Sequence, residues 1–248
     1  YEILRCLVGS EMCIRDSYSA AVEKPSYTYA TGSNAVSLTV EFTLDMSKLP
    51  KSPFTDVTAG AWYYDAVLYA YNKGLMVGTS DTAFGPDVSM TRAMLVAVLH
   101  RLAGSPSVSG KMPFTDVEAD TWYTEAVLWA YQNGIVAGTS DTTFAPQSNI
   151  TREQIVAIFS RYTAKFAPDK AKAAAELTAF ADSASVSDWA VNDMKWAVAQ
   201  KIISGSENAG KFYLLPQDNA SRAQVATILM QYLSLIHISE PTRHLRIS

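Results

Sequence analysis

Cysteine and histidine are scarce in this sequence, with two cysteines and three histidines among 248 residues. Four of these five residues lie in the terminal stretches "CLVGSEMCIRDS" and "SLIHISEPTRH": Cys6, Cys13, His237 and His244. Both stretches resemble translated sequencing-adapter read-through, so we set aside residues 1–17 and 234–248 as non-native arms. The remaining chain has no cysteine, which excludes a disulfide framework, a Cys/His zinc site and a cysteine nucleophile.

Long apolar runs and an excess of positive charge are also missing. No apolar run reaches the roughly 18 residues that a membrane-spanning helix needs. The net charge of -4 argues against nucleic-acid binding, because nucleic-acid binders are usually basic. There is no initiator Met and no visible signal peptide, so we expect the chain to be a fragment. A hydrophobic content of 48% is nevertheless sufficient for a core.

One sequence unit occurs three times. Phe54, Trp62 and Arg92 recur 60 positions later as Phe114, Trp122 and Arg152, within two closely matching copies. A third copy is more diverged and keeps equivalent positions at Phe180, Asp182, Trp189, Gly205, Pro216 and Arg222. We assign repeat 1 to residues 53–104, repeat 2 to 112–165 and repeat 3 to 179–233. An Ala/Lys-rich insertion at 166–178 is expected to be a helical or flexible linker.

Each copy has the pattern of a helix, a glycine-containing loop and a second helix. The first helix is expected to carry Trp62, Ala66, Tyr69 and Ala70 on one face, and its counterparts recur in the other repeats. Gly74 and Gly134 stand where a helix ends in a left-handed residue, and Lys201 replaces them in repeat 3. The second helix repeats one apolar stripe, for example Ile155, Ile158, Phe159 and Tyr162.

These patterns predict a mainly α fold. A single helix pair cannot bury its apolar stripe, whereas three pairs around a common axis can, so we expect a pseudo-threefold helical bundle. Residues 18–50 differ, because "SLTVEFTLDM" alternates like a strand and follows a Gly-Ser-Asn turn. We interpret this segment as a β-hairpin remnant of an upstream domain.

An arginine begins the second helix of every repeat. In "NITREQIVAIFSRY", Thr151 and Gln154 have the spacing of a capping box, which makes Arg152 the first helical residue. A cation is mildly unfavourable at this positive end of the helix dipole. Two interpretations stay open. The arginines Arg92, Arg152 and Arg222 could pair with Asp56, Asp116 and Asp182, or they could bind an anion together with free N–H groups of the helix.

The aromatic positions also allow two interpretations. Trp62, Trp122 and Trp189 are most simply core residues at helical spacing, with direct ligand contact as the alternative. Tyr63 and Tyr123 are better candidates for a rim that stacks on a sugar. His100 lies beside an apolar stripe, where we expect a partly exposed helical residue rather than a ligand.

The sequence does not contain the pattern of an active centre. Its recurring polar residues occur once per repeat, which suits a repeated binding surface better than a single site with unlike groups. No phosphate loop, G-x-S-x-G or H-E-x-x-H motif is present. Asp81 and Asp141 give one carboxylate per loop, far fewer than an EF-hand has. We therefore expect no catalytic residues, no metal, no cofactor and no enzymatic activity.

The three copies resemble the S-layer homology domain, through the pattern F-x-D-V, W-Y, G-[IL]-V-x-G, F-x-P and T-R-[AE]-[EQ]. The resemblance spans about residues 53–233. It implies a secreted protein at the bacterial cell surface, in the S-layer or on the wall. It further implies non-covalent binding of secondary cell-wall polysaccharide in grooves between repeats, within an intramolecular pseudotrimer. The ligand it implies ends in a pyruvylated N-acetylmannosamine, whose carboxylate the repeat arginine binds.

The same resemblance indicates the ligand-binding residues. The arginine stands in "MTRAM", "ITREQ" and "ASRAQ", and the acid that follows in the family is replaced by Met94, Gln154 and Gln224. Because repeat 3 departs most from the pattern, we rank Arg92 and Arg152 above Arg222. The full predicted set is Arg92, Arg152, Arg222, Asp56, Asp116, Asp182, Trp62, Trp122, Tyr63, Tyr123, Gly78 and Gly138.

Two other functions remain as alternatives. One is a protein–protein interaction scaffold of the envelope, and the other is a fragment of a surface enzyme whose catalytic domain lies upstream.

Overall fold

The computed structural model describes residues 26–29, 38–41 and 51–237, with side chains described from 51 to 235. The contacts divide the chain after Pro53 into two units, each of which we describe by itself. The predicted Gly-Ser-Asn turn, the arm at 1–17 and the arm beyond residue 237 lie outside the described residues.

The first unit contains one described pair of antiparallel strands. Strand β1 is Ser26–Tyr29 and strand β2 is Leu38–Glu41, with Ser26 opposite Glu41 and Tyr29 opposite Leu38. Strand β2 lies inside the segment whose alternation predicts a strand. That the pair is a remnant of an upstream domain remains a prediction.

The second unit is mostly helical, as the sequence predicts. Each repeat contributes a shorter first helix and a longer second helix: α1 (Tyr64–Asn72), α2 (Arg92–Leu102), α3 (Thr124–Gln132), α4 (Arg152–Phe166), α5 (Val191–Ala199) and α6 (Arg222–His237). Short 3-10 turns occur at Pro168–Lys170, Ser183–Ser185 and Asp188–Ala190. The longer loop of repeat 3 forms a hairpin of β3 (Ser206–Asn208) and β4 (Lys211–Tyr213). Among the described helices, none has both the length and the apolar character needed to cross a bilayer.

The second helices begin where their caps predict. Thr151 Oγ1 accepts a hydrogen bond from the Gln154 N–H, and the Gln154 side chain accepts one from the Thr151 N–H, so the predicted capping box is present. Ser221 and Gln224 form the same reciprocal pair in repeat 3. In repeat 1 Thr91 caps the Met94 N–H alone, because a methionine side chain cannot accept the return bond in the same way.

The first helices end in a left-handed residue in all three repeats. The φ angle is +67° at Gly74, +69° at Gly134 and +58° at Lys201. Repeat 3 therefore keeps the backbone of the other two repeats, although a Cβ atom makes this conformation unfavourable.

Replacing Lys201 with glycine is expected to raise the free energy of unfolding by about 1 kcal/mol, because the strain of the left-handed conformation disappears and outweighs the added freedom of the unfolded chain. Urea unfolding followed by circular dichroism measures the change. Lys201→Ala is the matched control, since it removes the side chain and keeps the strain. A loss of stability in Lys201→Gly would contradict the expectation.

The repeats pack against one another in a closed cycle. Helix α2 packs on α3, α4 packs on α5, and α6 returns to pack on α1. Three backbone hydrogen bonds follow the same order: Ile150 N–H to Met90 O (2.9 Å), Ala220 N–H to Ile150 O (3.1 Å) and Met90 N–H to Ala220 O (2.9 Å). Each repeat therefore completes its core with its neighbours, while a pseudo-threefold relation of the repeats remains a prediction.

The insertion between repeats 2 and 3 is partly helical and is bonded to α5. Its 3-10 turn presents the Lys170 carbonyl to the Trp196 Nε1–H and to the Gln200 amide, both at 2.9 Å. The Ala175 N–H donates to Lys195 O at 3.0 Å. Of the two forms expected for this linker, helical or flexible, the structure favours a partly helical segment that is hydrogen-bonded to α5.

Candidate functional site

The arginine at the start of each second helix reaches into the next repeat. Arg92 Nε donates to Phe144 O at 2.9 Å, Arg152 Nε to Leu214 O at 2.7 Å, and Arg222 Nε to Phe84 O at 2.9 Å. The three residues are 5–8% exposed. Burial lowers the pKa of all three guanidinium groups. The side chains therefore stabilise the contact between repeats.

The repeated aspartates accept hydrogen bonds from the backbone N–H groups of the same loops. Asp116 accepts the Phe144 N–H at 2.8 Å and the Ala145 N–H at 2.7 Å. Asp56 does the same for Phe84 and Gly85, and Asp182 for Leu214 and Leu215. The arginine and the aspartate thus bind the same loop residue. The arginine donates to its carbonyl oxygen, and the aspartate accepts a hydrogen bond from its N–H. Among the described residues no ion pair joins an arginine of the set to an aspartate, so the structure does not contain the direct pairs that were one of the two interpretations.

The carboxylate of Asp56 titrates below its ordinary range. Burial opposes its ionisation, but the N–H groups of Phe84 and Gly85 and the charge of Arg222 outweigh burial and lower the pKa of Asp56. The aspartate is therefore held in its charged form by the loop that it organises.

The helix starts are not free anion sites. The Arg92 N–H donates to Ser148 O and the Ala93 N–H to Pro146 O, both at 3.0 Å. The next two N–H groups of α2 bond to Thr91. Carbonyl groups of the next repeat occupy the α4 and α6 starts in the same way. The prediction that free helix N–H groups bind an anion is wrong, because the neighbouring loop already supplies the acceptors.

The three guanidinium groups differ at their terminal nitrogens. Arg92 Nη2 donates to Ala137 O at 3.1 Å, and Arg222 Nη2 donates to Val77 O. Each of these two groups also lies over a phenylalanine ring, 4.7 Å from Phe144 and 4.5 Å from Phe84. Arg152 faces Leu214, which has no ring. Within residues 51–235, no hydrogen bond engages the terminal nitrogens of Arg152.

The first tryptophan of each repeat is exposed, so its interpretation as core is wrong. Trp62 is 66% exposed, Trp122 58% and Trp189 53%. Helix α1 begins at Tyr64, so Trp62 lies in the preceding turn rather than on the buried helical face. The second tryptophans, Trp129 and Trp196, are buried.

The tyrosines beside these tryptophans do not form the exposed rim. Tyr123 is buried and Tyr63 is partly buried. Each meets its tryptophan edge to face, with ring centroids 5.2 Å apart for Trp62 and Tyr63 and 5.0 Å apart for Trp122 and Tyr123. The tyrosine thus supports the tryptophan, and the indole presents the free aromatic face.

One cavity, which we call the Arg152 groove, has a volume of about 340 Å³. Arg152 comes from repeat 2 and Trp62 from repeat 1, while repeat 3 supplies the other walls. All the repeat 3 residues that line the groove are uncharged, some polar and some apolar: Ile202, Ile203, Ser204, Gly205, Ser206, Gln224, Thr227, Ile228 and Gln231. The groove thus combines residues from all three repeats.

A second cavity, the Arg222 groove, has a volume of about 300 Å³. Arg222 comes from repeat 3 and Trp122 from repeat 2, while repeat 1 supplies the other residues. Methionine and valine predominate among them: Met76, Val77, Gly78, Thr79, Met90, Met94, Val98 and Arg101. Each groove therefore contains the arginine from a helix start and an exposed tryptophan, but the two grooves differ in the polarity of their walls.

The glycines predicted to bind ligand also have a structural role. At Gly78 an added Cβ would lie 2.6 Å from the Phe54 ring, and at Gly138 it would lie 2.7 Å from Phe114. Backbone carbonyls of each loop approach both positions as well. Glycine is therefore required by the close loop, and Gly78 additionally lines the Arg222 groove.

His100 is buried, contrary to the expected partial exposure. Its Nε2 lies 3.0 Å from Pro106 O, and its ring centroid lies 5.2 Å from that of Trp129. The segment after α2 folds back over the ring, a contact that helical periodicity does not reveal.

Sequence reasoning also missed the polar residues of the Arg152 groove. Ser204, Ser206, Thr227 and Gln231 line it together with Gln224. The only available signal was the comparison of repeats, since repeats 1 and 2 have Val77 and Ala137 at the position of Ser204.

Comparison with known proteins agrees with this architecture. The S-layer homology domain matches residues 53–93, 113–156 and 179–226, more than half of the chain. An endoglucanase of Bacillus sp. (strain KSM-635) is 31% identical over 75% of this chain and 19% of its own length. The surface-layer 125 kDa protein of Lysinibacillus sphaericus is 32% identical over 66% of this chain and 13% of its own.

S-layer protein EA1 of Bacillus anthracis is 24% identical over 77% of this chain and 22% of its own length. The chain thus spans about a fifth or less of these relatives. The segment that matches this chain thus occurs in an endoglucanase as well as in surface-layer proteins. The chain belongs to the S-layer homology domain family, whose modules anchor secreted proteins at the cell surface or wall.

Proposed function

We propose that this chain binds secondary cell-wall polysaccharide non-covalently and that the Arg152 groove accepts an acidic sugar, such as a pyruvylated N-acetylmannosamine terminus. The observation that carries the proposal is that no described residue engages the terminal nitrogens of Arg152 by a hydrogen bond, in a groove whose walls include several polar side chains. A guanidinium group is suited to a carboxylate because it donates two parallel hydrogen bonds.

The exposed indole of Trp62 supplies the second element of sugar recognition. It lines the groove together with the repeat 3 residues and is supported edge-on by Tyr63. A rigid aromatic face covers the apolar side of a sugar ring at little entropic cost, while Ser204, Ser206 and Gln231 offer hydrogen bonds to hydroxyl groups.

By their positions in the repeats, Arg92, Trp189 and the loop of repeat 2 would line a third groove of the same kind. We extend the proposal to this groove, although Arg92 Nη2 already donates a hydrogen bond to Ala137 O of its loop. The aspartates and glycines of the predicted set support binding indirectly, because they shape the loops that form the groove walls.

We further propose that the chain serves as the anchor of a larger surface protein. The relatives include an endoglucanase and surface-layer proteins, and the shared module occupies only a small part of each. An attached cargo would therefore differ among proteins that use the same wall attachment.

The proposed function is tested by co-sedimentation of the full chain with purified cell-wall sacculi. One sample retains its polysaccharide and a matched sample has lost the polysaccharide and its ketal through mild acid. We expect retention only on the untreated sacculi. Equal retention on both would overturn the glycan proposal and favour a protein–protein scaffold.

Replacing Arg152 with glutamine is expected to weaken binding to untreated sacculi by about tenfold or more, because a hydrogen bond between two charged groups is lost. Co-sedimentation at several protein concentrations measures the change. Arg152→Lys is the matched control, which keeps the charge without the paired donors and should lose less. Unchanged binding by a folded Arg152→Gln protein would contradict a role for this residue.

A further inference from the structure

The Arg222 groove contains a second guanidinium group, that of Arg101. This residue lies nine positions after Arg92 on α2 and lines the same cavity as Arg222. One of its terminal nitrogens donates to Leu75 O at 3.0 Å, which holds the Arg101 side chain against the segment after α1 in the same repeat. The residues that line the groove include two arginines and no carboxylate. The lining therefore carries two cations, while the carboxylate of Asp56, which acts on Arg222, is not among the lining residues. The methionine and valine walls strengthen the field of the charges.

The equivalent position differs between the repeats. It is Arg161 on α4 in repeat 2 and Gln231 on α6 in repeat 3. After burial and the opposing effect of Asp116, the charge of Arg161 lowers the pKa of Arg92, as expected for two guanidinium groups beside the same loop. In the Arg152 groove this position is therefore the neutral Gln231 rather than a cation. Burial lowers the pKa of Arg152, and the carboxylates of Asp218 and Asp182 oppose this effect.

We propose that Arg101 is a second anion-binding residue and that its position sets the charge each groove accepts. The Arg222 groove binds a glycan unit with a dianionic substituent, whereas the Arg152 groove, with Gln231, binds a unit with a single carboxylate among its hydroxyl groups. This inference rests on the proposed function in taking both grooves as glycan sites. It adds that one chain distinguishes two classes of acidic unit.

The test uses inorganic phosphate, a dianion at pH 8, and acetate, a monoanion, as probes of the full chain. Each groove has its own reporter, because Trp122 lines the Arg222 groove and Trp62 lines the Arg152 groove. Their indole N–H signals in NMR spectra are assigned with Trp122→Phe and Trp62→Phe. We expect phosphate to shift the Trp122 signal with a midpoint concentration at least about fivefold lower than the midpoint for the Trp62 signal, because the second charge of phosphate adds Coulomb attraction. Acetate should show no such preference.

Matched variants move the cation between grooves. Arg101→Gln should remove the preference for phosphate at Trp122, and Arg101→Lys should restore most of it. Gln231→Arg should create the preference at Trp62. The double variant Arg101→Gln/Gln231→Arg keeps the net charge and should exchange the two responses. Lys111→Gln removes one exposed charge outside both cavities and should change neither.

Equal phosphate midpoints at both indoles in the native chain would overturn the inference, and so would an unchanged preference in Arg101→Gln or no shift of either signal. These results do not depend on sacculi. Failure of wall binding with an intact phosphate preference would refute the proposed function alone, whereas wall binding without the preference would refute only the assignment of Arg101.

Discussion

Replacement of Arg92 by methionine is expected to lower the free energy of unfolding by about 2–4 kcal/mol, although the residue stands at a helix start in a binding module. The guanidinium group donates to Phe144 O and Ala137 O across the boundary between repeats 1 and 2. Methionine keeps the apolar stem but leaves both carbonyls without their charged donor, and a hydrogen bond to a charged group contributes about 1.5–3 kcal/mol.

Urea unfolding followed by far-ultraviolet circular dichroism measures this loss. Arg92→Lys is the control that keeps the charge and one donor, and it should lose less. Arg152→Met offers a matched comparison, because the Arg152 side chain makes a single hydrogen bond among the described residues, to Leu214 O, and should lose about half as much. If Arg92→Met were as stable as the native chain, the contact between repeats would not depend on the guanidinium group.

Replacement of Asp56 by alanine is expected to lower the free energy of unfolding by about 2–3 kcal/mol at neutral pH, since two backbone N–H groups lose a charged acceptor. These N–H groups belong to Phe84 and Gly85, and the Arg222 side chain binds the carbonyl of the same Phe84. Thermal and urea unfolding measure the loss. Asp81→Ala is the control, because Asp81 is an exposed carboxylate of the same repeat.

The effect of Asp56 has a defined pH dependence. Burial disfavours its charge, yet the loop N–H groups and Arg222 lower the pKa of Asp56 in the folded chain. A lowered folded pKa stabilises the folded state above the unfolded value, about 3.9 for aspartate, and this contribution is lost as the pH falls through the folded value. The difference between the native chain and Asp56→Ala should therefore shrink below about pH 4. A constant difference down to acidic pH would show that the charge of Asp56 is not what stabilises the loop.

Comparison of the three repeats predicted much of the local structure. The capping box at Thr151 and Gln154, the left-handed helix ends at Gly74 and Gly134 and the mainly α fold are all present. These features depend on residues within a few positions of one another, and the chemistry of a cap or a helix end is readable over that range.

The sequence did not predict where the repeated polar side chains lie. Arg92 and Phe144 are 52 positions apart, and Arg222 and Phe84 are 138 apart. The recurrence of arginine and aspartate suggested direct pairs, whereas the structure places one loop residue between them. Such an arrangement requires the neighbouring repeat to be in position, and no local pattern contains that information.

The sequence alone determined the number of repeats, the helical start and end signals and the family to which they point, because these depend on residue type and short spacing. Only the tertiary structure decided which of these residues face solvent. Trp62 and Trp129 look alike as aromatic residues near the first helices, but one is exposed in a groove and the other is buried. The closed cycle of repeats sets this difference, because each groove forms where three repeats meet and each arginine is covered by its neighbour.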